Sequence, residues 1–261
     1  MAYLNWKDRF IAPRKRQLRR HNLFWNQKAK ENEQAIVQIA NKLSQGIDVN
    51  RRISRSARIF GYLSSDYKKS NKKARWLERD LYLNAHDTHH LHLGVSDRER
   101  SNDLLFVGIG REVATLLMVG DHESFDAGLL GQRVAEIRSD RLELVGLTPP
   151  RKESTEDRAV FERLGFMSTY EVNGKVIAGA MQSTSGASVG HVRFADKLVD
   201  LIEHFENRIS EDDLIANWFK QANVPLPKEP SLVWRMQGCD LILVEESVSI
   251  GFTTAEGNWC R

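Results

Sequence analysis

Cysteine is scarce in this chain: there are two in 261 residues, Cys239 and Cys260, and neither stands in a CxxC pair. Two are too few for a disulfide framework. Long apolar runs are also missing. No stretch of about 18 apolar residues occurs, so no membrane-spanning helix and no membrane partner are expected. The first residues, MAYLNWKDRF, carry charge too early for an apolar leader. A reducing, cytoplasmic compartment is therefore the expectation. There is no internal repeat and no low-complexity tract. STSGAS (183–188) is not followed by the Gly-Lys-Ser/Thr of a P-loop, and no GxSxG elbow frames Ser185 or Ser188. A hydrophobic content of 41% with 28% charged residues rules against wholesale disorder and leaves enough apolar material for a core.

What is present is unevenly distributed. Residues 1–79 hold 20 Lys+Arg against 6 Asp+Glu, a net +14, whereas 80–261 carry −11. A basic first third suits contact with a polyanion, most simply nucleic acid. The competing explanation is mutual neutralisation of the two parts across an internal interface. Trp6, Phe24 and Trp25 lie among Arg14, Lys15, Arg16, Arg19 and Arg20. They either stack on bases or pin a basic arm to the domain, and His21 merely adds polarity to that arm.

Periodicity gives an α+β chain. Ala35, Ile36, Ile39, Ala40 and Leu43 recur at helical spacing and predict a helix over 27–45 that stops at Gly46. A second helix is expected over 53–63, while 74–83 suits helix or strand. The period then shortens. Runs 88–93, 103–109 and 113–119 predict an antiparallel β-meander, followed by a helix over 124–138 capped by Ser124 and a strand over 141–147. Pro149-Pro150 marks a boundary, giving a domain of 1–148 and a second α+β domain of 151–261. In the second, Asn173-Gly174 between two apolar runs predicts a type I′ hairpin. Helices over 189–208 and 211–222 follow, then strands over 231–237, 240–246 and 248–253.

Four of the eight histidines fall within seven residues: His86, His89, His90 and His92. If 88–93 is a strand, His90 and His92 share an exposed face with Thr88, while His89, Leu91 and Leu93 face the core. His122, at the exit of the third strand, lies within reach of the first across the usual interstrand spacing. Asp87, Asp103 and Asp121 are nearby in sequence and could orient imidazoles. Three readings compete: acid–base catalysis near neutral pH, a divalent-metal site, and a polar strand without chemistry. The metal reading lacks an HExxH-type motif and a cysteine partner.

The motif His90-Leu91-His92, then Asp103 leading an apolar strand, then Gly120-Asp121-His122 with Phe125, resembles the bacterial RelE/YafQ-type toxin ribonucleases. Two helices ahead of a β-meander are in keeping with that family's small α+β fold. The resemblance spans 27–140, with the motif itself in 86–125. It implies metal-free cleavage of messenger RNA without a cofactor, on the ribosome, with a neutralising protein as a further partner. It implies that His90, His92 and His122 serve as acid and base, that Asp103 orients or abstracts a proton, and that Phe125 shapes the base pocket. Arg98, Arg100 and Arg111, in loops beside the strands, are candidates for holding the phosphate. The expected function is an RNA-directed nuclease of toxin or defence type. The alternatives are a non-catalytic nucleic-acid or protein binding module working through residues 1–79, and a metal-dependent enzyme using the same histidines.

Overall fold

The computed structural model describes residues 2–54, 80–94, 96, 101–125, 129–139, 143–148, 157, 160, 161, 164, 168–179, 187–211, 214–237 and 240–255. The fold is α+β. It divides into two compact units, 1–192 (with Arg261) and 193–260.

The first unit opens with helix α1 (Ala2–Lys7), strand β1 (Gln17–Arg20), and helices α2 (Gln27–Glu31) and α3 (Glu33–Gln45). A 3₁₀ turn (Asn50–Arg52) precedes α4 (Leu81–His86), and the meander β2 (Thr88–His92), β3 (Leu104–Ile109) and β4 (Val113–Gly120) follows. A second 3₁₀ turn (His122–Phe125) leads to α5 (Leu129–Arg138). The four strands stand in the order β1-β4-β3-β2. β1 runs parallel to β4, and the meander pairs are antiparallel. β1 comes from the basic arm, which the sequence does not mark as a strand: its four residues QLRR are mostly exposed and carry no alternating apolar signal.

The single helix expected over 27–45 is two. The Asn26 side chain accepts the Ala29 amide and starts α2, Asn32 ends it and starts α3, and Gly46 closes α3 in the left-handed region at φ 77°. Ile36, Ile39 and Leu43 of α3 pack with Leu91, Leu105, Val107, Leu116 and Val119 on one face of the sheet. On the other face, Leu104, Phe106, Leu117 and Met118 meet Leu130 and Val134 of α5. A bulge between Phe106 and Val107 lets Leu117 and Met118 both join that second layer.

The helix expected from 124 is a 3₁₀ turn and then α5. Ser124 lies inside the 3₁₀ turn, and Asp121 caps that turn, its Oδ1 accepting the amides of Glu123 and Ser124. Of the strand expected over 141–147, an isolated bridge joins Glu143 to Ile177. Hairpin β5 (Thr169–Val172) and β6 (Lys175–Ala178) turns at Asn173 and Gly174, both at positive φ (52° and 77°), as the I′ turn requires. Its Tyr170, Val172 and Ile177 pack on Ala135 of α5, so this hairpin belongs with the first unit. Pro149, Pro150 and most of 53–63 lie outside the described residues. Helix α6 (Val189–Glu211) starts in the first unit, and the units divide within it, between Val192 and Arg193.

The second unit contains the rest of α6, α7 (Leu214–Gln221) and the antiparallel sheet β7 (Leu232–Gln237), β8 (Asp240–Glu245) and β9 (Ile250–Ala255). Its core is aromatic, with Trp218 stacked on Phe252 at 5.3 Å and Phe219 tilted against Phe252 at 5.2 Å. The last strand starts later than 248 because Glu245, fully buried, holds the turn before it. Its carboxylate accepts the Ser231 amide at 3.0 Å and the Val248 amide at 2.9 Å. Among the described residues no helix is long and apolar enough to cross a membrane.

Candidate functional site

Strand pairing builds the site. His92 stands opposite Leu104, and Leu104 opposite Gly120. One end of the sheet therefore gathers the end of β2, the start of β3 and the exit of β4, where His122 follows. Leu91 and Leu93 are fully buried in the α3-side core. At about 1.5–3 kcal/mol for each buried side chain, they fix which way β2 faces. His90 and His92 are left on the opposite face with Thr88, because strand side chains alternate.

The rings form a file. His90 and His92 are 6.5 Å apart, edge to face, and His92 and His122 are 6.0 Å apart, tilted. His122 is exposed, His90 is partly covered and His92 is buried at 9% exposure. The face expected to be open is thus largely covered, and solvent reaches the file from the His122 end. His92 Nδ1 lies 3.2 Å from the Ser101 carbonyl. A carbonyl only accepts, which assigns the proton to Nδ1 and leaves Nε2 as the basic nitrogen. The Asp80 carboxylate lies 3.7 Å from His90 Nδ1, beside it but beyond hydrogen-bond length. Behind β2, the buried Arg52 donates to the carbonyls of His92 (3.3 Å) and Gly94 (3.2 Å) and anchors the strand end.

The carboxylates sit elsewhere than expected. Asp103 shares the parity of Leu105 and faces the α2 side, where Asn32 Nδ2 donates to it at 3.0 Å and Lys28 Nζ lies 3.9 Å away. These contacts, made with Asn32 and Lys28 and not with an imidazole, tie the start of β3 to α2. Asp121 is bonded by Lys28 Nζ and by Ser124. The Lys28 hydrogen bond, together with those from Ser124, outweighs burial and lowers the Asp121 carboxyl to about 2. The same bond raises the Lys28 ammonium above its ordinary value. Asp87 pairs with Arg138 at 2.8 Å.

The other two clustered histidines leave the site. His86 is buried at the end of α4 with its ring 5.4 Å from that of Tyr82. His89 points into the opposite layer, where its Nε2 meets the Asp8 carbonyl at 3.0 Å. Burial pushes its pKa down, with Asp8 opposing, so it is held as the neutral ring. His21, in the arm, is buried and meets Glu136 of α5 at 2.7 Å.

Of the expected phosphate ligands, Arg111 lies in the β3–β4 turn, at the opposite end of those strands from His92 and His122, and does not join them. Arg98, Arg100 and the side chain of Phe125 lie outside the described residues. Lys28, which sequence reasoning passed over, bonds Asp121, the residue before His122, from the α2 side. Lys28's spacing of four from Asn32 puts both on one helical face, but the signal is lost among the other cations of the first third. Among the described residues, no group of three or more His, Cys, Asp or Glu side chains is placed to hold a metal ion.

Chemically, two imidazoles with ring centroids 6.0 Å apart lie on one substrate-sized patch, so one can act as base and the other as acid on neighbouring atoms of a single group. Comparison with known protein families, with curated proteins and with solved structures finds no match.

Proposed function

We propose that this protein is an RNA-directed nuclease of the toxin or defence type, working through His92 and His122. The observation that carries the reading is the 6.0 Å ring spacing of a sheltered histidine with an assigned basic nitrogen and an exposed one. The motif likeness to RelE/YafQ-type toxins supports it.

His92 Nε2 takes the proton from a ribose 2′-hydroxyl, and the 2′-oxygen attacks the adjacent phosphorus. The bond to the 5′-oxygen breaks, and His122 donates the proton that the leaving oxygen needs. The products are a 2′,3′-cyclic phosphate and a free 5′-hydroxyl. Arg98 and Arg100, between β2 and β3 in the sequence, are the candidates for the phosphate, and His90 backs His92. The reaction consumes no cofactor.

Each proton-transfer residue typically contributes about 10²–10⁴-fold. His92→Gln and His122→Gln are each expected to lower RNA cleavage on that scale while leaving the thermal unfolding midpoint within a few degrees of wild type. Full activity in either folded variant refutes the assignment. A second reading, a binding surface on the basic arm, is favoured by Arg20, whose guanidinium lies 5.7 Å over the half-exposed Trp25 ring. The two readings are compatible, and the histidine variants separate them.

A further inference from the structure

The same sheet carries a second feature at its other end. A cleft of about 420 Å³ opens beside the C-terminal turn of α5. Its floor is a row in register across all four strands: Arg19 opposite Thr115, Thr115 opposite Gly108, and Gly108 opposite Thr88. Val134 and Ile137 of α5 give an apolar wall, and Arg111 stands at the rim. Arg19 and Arg111 are both exposed. The acidic lining residues are engaged: Asp87 pairs with Arg138 at 2.8 Å, and the outward-facing Glu112 lies 3.9 Å from Arg111.

Gly108 decides what this cleft is for. Glycine weakens a strand interior, and it often marks a bulge, strained backbone, crowding or the close approach of a ligand. The bulge of this strand lies before it, between Phe106 and Val107, and Gly108 itself pairs in register with Thr115. Gly108 is not among the positive-φ residues. A Cβ placed on it would have as its nearest neighbour the Thr115 carbonyl at 4.0 Å, an ordinary contact. Elsewhere in this unit crowding does enforce glycine: a Cβ on Gly131 would come within 1.9 Å of the Tyr170 hydroxyl. Conformation and packing both permit a side chain at 108, and the missing side chain leaves a flat, open floor between two threonines.

We infer that this cleft binds a nucleoside monophosphate unit. The planar base lies on the Gly108 floor against Val134 and Ile137, and the phosphate is held by Arg19 and Arg111, whose planar guanidinium groups suit bidentate phosphate contact. The volume is within the range of small-ligand sites, about 300–1,000 Å³. The unit can be a free nucleotide or one residue of an RNA strand, and both present the same base and phosphate.

The test is calorimetric titration of the full chain with adenosine and uridine monophosphates, with inorganic phosphate alone as a second probe. Nucleotide is expected to bind more tightly than phosphate. Gly108→Val, which fills the floor, is expected to weaken nucleotide binding at least tenfold with a thermal midpoint equal to or above wild type. Arg19→Gln, on the exposed edge strand, is expected to weaken it comparably. A short single-stranded oligoribonucleotide that displaces the nucleotide from wild type identifies RNA as the source; failure to displace it identifies the free nucleotide. The inference is separate from the histidine chemistry, so His92→Gln/His122→Gln is expected to bind nucleotide as wild type does. No nucleotide binding by wild type, or unchanged binding by Gly108→Val, overturns it.

Discussion

At the level of single residues, the turn that presents His122 is held by one carboxylate. Asp121 accepts from the Glu123 and Ser124 amides and from Lys28 on α2. Its carboxyl is lowered to about 2 in the folded protein, against about 3.9 in an unfolded chain. The stability it contributes is complete above pH 4 and is lost as pH falls from about 4 through about 2. Asp121→Asn is therefore expected to flatten the acid limb of a stability–pH curve in that window, as read by urea midpoints. His89 works over a different range. Burial depresses its folded-state pKa below the ordinary 6.5, so the unfolded chain binds the proton first. Stability is full above about pH 6.5 and declines as pH drops below it. His89→Gln, which keeps a donor for the Asp8 carbonyl, is expected to remove that decline between pH 7 and 5. A persisting decline would show that another group titrates there.

Strand alternation places His90, His92 and Thr88 together from sequence alone, and the meander brings His122 to them. The same rule places His89 inward. Asp103 is the instructive failure. Proximity in sequence to a strand end says nothing about side-chain direction, and its parity sends it to Asn32 and Lys28. Arg111 fails for a related reason, since a hairpin turn and a strand start lie at opposite ends of a strand.

At the level of elements, α5 is the hub of the first unit. It covers one sheet face through Leu130 and Val134 and carries the β5–β6 hairpin on Ala135. Its Gly131 lies where Tyr170, fully buried, comes closest. Alanine is the better helix former by up to about 1 kcal/mol. Overpacking against a ring that cannot retreat costs about 1–3 kcal/mol. Gly131→Ala is accordingly expected to destabilise, and a raised melting temperature would show that Tyr170 can shift. Elements with an apolar period were legible almost to the residue: β2, β3 and β4, and β7 and β8, with the turn of the Asn-Gly hairpin. β1 was not, because a short, mostly exposed edge strand with two adjacent arginines leaves no period. The break between α2 and α3 was hidden for the opposite reason, since Asn26 and Asn32 re-cap a helix without interrupting its apolar stripe.

Across the whole molecule, the basic first third is not all outer surface. Arg16 is buried, donating to the carbonyls of Gly110 and Ala12 at 2.8 and 2.9 Å, and burial pushes its pKa down. Arg52 is buried as well and anchors β2. Part of the sequence's charge asymmetry is therefore internal scaffolding, and reversing Arg16 would test folding instead of binding. Lys15 and Arg20 are exposed. If they contact RNA, Lys15→Gln/Arg20→Gln lowers the slope of log affinity against log salt by about 1.4, taking about 0.7 for each single-strand phosphate contact. An unchanged slope would take the arm out of the RNA-binding surface.

The central claim is 2′-hydroxyl activation between His92 and His122, and the chemistry of the product ends tests it most directly. Single-stranded RNA incubated with purified protein in EDTA is expected to yield fragments ending in 2′,3′-cyclic phosphate with free 5′-hydroxyl groups. The His92→Gln/His122→Gln protein is expected to yield none. Intact RNA, or cleavage that needs a divalent ion and leaves 5′-phosphate ends, would contradict the account.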